Sequence, residues 1–225
     1  MRRALHIRSK RRKLALVLLV ILTVMTARWG VQAFSEDPEI ALIYGEPWEN
    51  MRQRSSAPIP PAVPGHYGYR IPTVEARLRF IDPNYGFVTP LAGFFTLNFD
   101  NERVASLRMS LQTEPLLQDD ALIVILNLQD QLLKKGWSVS NPKTDPPFAD
   151  TSQWRARLRD VNKGGRTFWQ AGEHFQIMLN MHRTKDKKRP DEERYLISLA
   201  LGRPWIPAEK TNPSTLHRTH RQPAP

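Results

Sequence analysis

The feature that most constrains this chain is Leu14–Ala27, an uncharged run of 14 residues dominated by Leu, Val and Ile. Ahead of it stand Arg2, Arg3, Arg8, Lys10, Arg11, Arg12 and Lys13 with no acid among them, and behind it come Arg28, Trp29 and the acids Glu36, Asp37 and Glu39. A cationic head, an apolar barrel and an acidic exit are what the positive-inside bias requires of a segment with its N-terminus in the cytoplasm. Extended to Phe34 the segment has 21 positions, enough for the roughly 20 residues of a spanning helix. Trp29 would then sit at the interface and Arg28 would snorkel to the far headgroups. Val31-Gln32-Ala33 has the small-residue form of a signal cleavage site, which is the competing reading. The long basic head favours a retained anchor. Arg11-Arg12 reads as topogenic rather than as a twin-arginine export signal. The expected organisation is therefore a cytoplasmic head over 1–13 and a transmembrane anchor over 14–34.

The formal charge of +11 suggests a polyanion partner until it is located. Residues 1–33 carry +8 and residues 203–225 carry +3, which leaves 34–202 neutral. A neutral central region has no electrostatic footprint for nucleic acid, so no nucleic-acid partner is expected. The chain has no cysteine, which excludes disulfides, thiolate metal sites and cysteine nucleophiles. Its one Asn-x-Ser/Thr triplet, Asn212-Pro-Ser, is blocked by the proline. An exported chain without either device fits a bacterial envelope, with the bulk of the protein in the periplasm.

Prolines 38, 47, 58, 60, 61 and 64 punctuate residues 35–64, which read as a tether, extended and semi-rigid over its last run 57–64 and able to hold a domain up to about 90 Å from the membrane. The apolar patch Ile40–Tyr44 is the exception, with packing on the domain and contact with the lipid surface as its two readings. A folded unit is expected over 65–203, followed by a disordered tail over 204–225. Within the unit, Thr73–Ile81 alternates, with Val74, Ala76, Leu78 and Phe80 on one face and Arg77 and Arg79 on the other, as in a half-buried strand. Phe95, Leu97 and Phe99, a turn at Asp100-Asn-Glu102, and Leu107, Met109 and Leu111 predict a hairpin. A helix follows, capped from Thr113 or Glu114, with Pro115 in its first turn, an apolar stripe over 117, 121, 124, 125, 128 and 132, and a stop at Gly136. The alternation of Trp154, Ala156 and Leu158 with Arg155, Arg157 and Arg159 predicts a strand, a short helix being the competitor. Two further strands carry Phe175, Ile177, Leu179 and Met181, then Tyr195, Ile197, Leu199 and Leu201. The fold class expected is α+β: an antiparallel curved sheet packed on one main helix.

No nucleophile-elbow, phosphate-loop, dinucleotide or zinc-protease pattern occurs, and no cofactor or metal is implied. His174 and His182 fall eight residues apart on one predicted strand, roughly 26 Å at strand rise, too far to share an ion. The arginine-rich faces are the most suggestive feature. Arg77 with Arg79, and Arg155 with Arg157 and Arg159, are the candidate partner-binding residues, joined by Phe94, which falls out of phase with the buried Phe95. The bland alternative is a solvated face balanced by nearby acids. The expectation is a membrane-anchored periplasmic protein-binding module without catalytic activity, either an accessory subunit of an envelope or secretion assembly or an immunity-type inhibitor. The alternative is an envelope enzyme with a dispersed carboxylate and histidine site, for which Glu173-His174 is the nearest candidate pair.

Overall fold

Alternation, turn chemistry and one amphipathic stripe become a two-sheet α+β architecture in the computed structural model, which describes residues 37–207. The expected head, anchor and distal tail lie outside the described residues. The principal sheet is antiparallel throughout, with seven strands in the order β2 (Tyr67–Arg70), β5 (Phe95–Asp100), β6 (Arg103–Ser110), β10 (Arg194–Gly202), β9 (Phe175–Thr184), β8 (Gly165–Ala171) and β7 (Ser138–Val139). A second sheet has three strands in the order β1 (Glu39–Leu42), β3 (Arg77–Phe80) and β4 (Phe87–Val88), with β1 and β3 parallel.

Strand period decides which side of the large sheet is buried. Leu97, Leu107, Met109, Tyr195, Ile197, Leu199, Ile177, Leu179 and Met181 point to one face and form its core. Helix α2 (Gln118–Lys134) lies against that face through Ala121, Leu122, Ile125, Leu128 and Leu132. It ends as its sequence requires, with Gly136 at φ +77°, the left-handed backbone that only glycine adopts without strain. Its start differs from expectation. Leu117 occupies the N-cap without a side-chain cap bond. Leu116 upstream is still extended and bridges Tyr195, so Pro115 precedes the helix rather than opening it. The β5–β6 hairpin turns at Asn101 and Glu102, with φ of 50° and 59°, the two positive values of a primed turn that matches strand twist. A bulge beside Asn98 and Phe99 interrupts its register.

Three expectations are corrected. The stretch 35–64 is not a tether over its length: from Glu39 it is built into the domain. β1 pairs with β3, and α1 (Trp48–Arg54) follows it, burying Trp48 and Met51. The Trp48 ring stands edge-on to Phe99 at 5.3 Å. The proline run is fixed by its carbonyls: Trp48 Nε1 donates to Pro60, Arg52 Nε to Ile59 and Arg70 Nε to Pro61. The expected strand at 154–159 is helix α3 (Ser152–Arg159). Thr151 caps it by accepting from the Trp154 N–H. Trp154 and Leu158, one turn apart, both face inward, while Ala156 is exposed. The domain also continues past its expected end, because the fully buried Gln176 side chain accepts from the N–H groups of Trp205 and Ile206 and donates to the Ile206 carbonyl.

Candidate protein-binding face

Helix α2, helix α3 and the three-stranded sheet all pack on the inner side of the seven-stranded sheet, sharing one core with it. Side chains of the opposite phase form the outer face, and strand register places them in rows. One row runs Phe94, Ser110, Ser198, Asn180, Arg166. The next runs Thr96, Arg108, Ala200, Met178, Phe168. Strands lie about 4.8 Å apart, so each row spans roughly 19 Å. At the β2 edge the same phase turns out Tyr67 and Tyr69, opposite Asp100 and Asn98. These aromatics are strongly exposed: Tyr67 72%, Tyr69 59% and Phe94 45%.

A groove of about 470 Å³ opens at the other end of the face. Arg108, Arg157, Lys163, Arg166 and His182 line it, with Asn180, Ser198 and one acid, Asp145. Two of its guanidiniums are held by cation–π contacts as well as by hydrogen bonds. Arg157 lies over the Trp154 ring at 5.2 Å, and its Nε donates to the Gly164 carbonyl. Arg166 lies over Phe168 at 5.1 Å, and its Nε donates to Asp145. Both keep terminal nitrogens for a ligand. The Arg108 side chain makes no hydrogen bond or ion pair with another described residue. The backbone at Gly164–Gly165 closes tightly around the helix: a Cβ at Gly165 would stand 2.5 Å from Phe148 and 2.7 Å from Trp154.

The six residues singled out from sequence do not converge. Phe94 lies on the outer face and Arg157 on the rim of the groove. Arg155 and Arg159 fall on the other side of α3, because residues two apart on a helix face different ways. Arg155 is held between Asp150 and Asp119, whose hydrogen bonds, Asp150's the larger effect, push its guanidinium pKa up. Arg159 borders a separate shallow depression with Leu117, Glu192 and Glu193. Arg77 and Arg79 are on the small sheet and both face Glu39, at 3.4 and 2.6 Å. For these two and for Arg155, the nearby-acid alternative describes the observed contacts.

Comparison with protein families, with curated proteins and with solved structures returns no match. The site stands on its own geometry. Sequence reasoning missed Tyr67, Tyr69, Arg108, Lys163, Arg166 and Asn180. The one signal available for Arg108 was its outward phase between Leu107 and Met109. What was missing was strand order, which sets β6, β10, β9 and β8 side by side. Among the described residues no three His, Asp or Glu side chains are grouped to hold a metal ion. Glu173 and His174 sit in the exposed β8–β9 turn, and His182 lies at the far end of β9.

Proposed function

We propose that this chain is a membrane-anchored protein of the bacterial envelope whose domain, on the periplasmic side, binds a protein partner through the outer face of its seven-stranded sheet. The observation that carries the reading is the presence of Tyr67, Tyr69 and Phe94, all exposed, on the same outer face as Arg108, where no helix among the described residues packs. Aromatic and arginine side chains concentrate binding energy at interfaces. The anchor, its orientation and the periplasmic location rest on the head-to-exit charge order of residues 1–39. A binder of this kind fits an accessory subunit of an envelope assembly or an immunity-type inhibitor.

Affinity capture with the full chain from envelope extract tests the reading. A stoichiometric protein is expected with the wild type and is depleted about tenfold with the double variant Tyr69→Ser, Phe94→Ser, the loss of two interface anchors. Thermal melting of that variant checks that the domain is intact. Recovery of no stoichiometric protein, or equal recovery by the folded variant, contradicts it.

A further inference from the structure

The groove beside the aromatic patch has a chemistry of its own. Four of its side chains are cations, against the single carboxylate of Asp145, although residues 34–202 as a whole are neutral. The concentration is therefore local. Arg157 over Trp154 and Arg166 over Phe168 are held in place by their own hydrogen bonds and ring contacts before any ligand arrives, and Arg108 makes no ion pair among the described residues. Guanidinium forks whose terminal nitrogens make no hydrogen bond among the described residues suit planar carboxylates, which accept two parallel N–H bonds. Ser198 is 6% exposed, so a polar hydroxyl lies where the central strand β10 forms the floor. Sites that take up small ligands are mostly apolar and enclosing. This groove is polar and open, which suits a segment that continues beyond it.

Resting on the protein-binding reading, we infer that the groove takes an extended acidic segment of the partner, with Asp or Glu carboxylates paired to Arg108, Arg157 and Arg166. The partner would lay its acidic segment here while its apolar surface meets Tyr67, Tyr69 and Phe94.

Fluorescence anisotropy of the full chain in detergent, at low salt, with a labelled peptide of alternating Asp and Glu tests the assignment. Arg108→Gln removes no hydrogen bond or ion pair among the described residues, so it leaves the melting temperature in place and weakens binding about tenfold, the scale of one charge-assisted pair. The charge-matched Arg8→Gln in the basic head changes it less than about twofold. An Asn/Gln peptide binds the wild type no better than it binds Arg108→Gln. Equal binding of the acidic peptide by wild type and Arg108→Gln would overturn the assignment. So would displacement of the peptide by equimolar inorganic phosphate, or an Arg108→Gln effect on a dT oligonucleotide and not on the peptide. A captured partner together with peptide binding indifferent to Arg108 defeats the groove alone. Groove-dependent peptide binding without any captured partner supports the groove and defeats the wider reading.

Discussion

At Gly93 the backbone leaves no room for a side chain: a Cβ there would stand 2.5 Å from the Thr113 carbonyl oxygen and 3.0 Å from the Thr113 Cα. The obstacle is main chain, and Gly93 is itself bonded through its N–H to Gln112, so neither side can yield cheaply. Gly93→Ala is expected to cost about 1–3 kcal/mol in urea unfolding, the usual range for overpacking. Acid titration supplies a second residue-scale test. Hydrogen bonds from Lys188, and then Arg189, hold the Glu114 carboxyl below its ordinary range. Arg155 does the same for Asp150, and the Asn162 N–H followed by Lys163 for Asp160. A carboxyl with a lowered folded pKa stabilises the fold above its unfolded value, about 4, and that contribution is lost as pH falls through the folded value. Stability should be level from neutrality to about pH 5 and decline below about pH 4. Glu114→Gln should shallow the acid limb, and added salt should weaken the effect because these groups are exposed. Stability that rises on acidification would count against these pairings.

Elements differ in how visibly their sequences declare them. The strands β3, β5, β6, β9 and β10 were legible because each has one buried face, and burial on one face writes a period of two. Helix α2 was legible through its stripe and its glycine stop. β1 was not, since Ile40, Ala41 and Leu42 are all buried and show no alternation, and the prolines around it read as a linker. Those prolines lie between elements, where a missing N–H does no harm. Helix α3 was misread because Trp154 and Leu158, four apart, satisfy a strand period and a helix turn equally. Its own signal was Thr151, whose side chain caps the first turn. Replacing that cap, Thr151→Ala, should cost about 1 kcal/mol. Trp48→Ala separates the two readings of the N-terminal stretch. A tether would not notice the change, whereas a Trp buried against Phe99 predicts a loss of about 3–5 kcal/mol by denaturant unfolding.

Over the whole molecule, function depends on what strand order brings together. β6 and β10 are neighbours in the sheet though their paired residues, such as Met109 and Leu199, lie far apart in sequence. That pairing sets Arg108 beside the groove and Phe94 in one row with Arg166. No local pattern encodes such a juxtaposition, so Phe94 and Arg157 were found singly and the site as a site was not. Membrane orientation belongs to this scale too. With the positive-inside charge order of the head, alkaline phosphatase fused after Pro225 should be active in cells and β-galactosidase inactive; the reverse pair would place the domain in the cytosol. The central claim concerns which side of the domain meets a partner. Site-specific photo-crosslinking of the full chain in living cells addresses it directly, with the probe at Phe94 or Tyr67 on the outer face, or at Ile123, exposed on α2. A discrete protein adduct from 94 and 67 and none from 123 is the predicted result, and an adduct from 123 alone would contradict it.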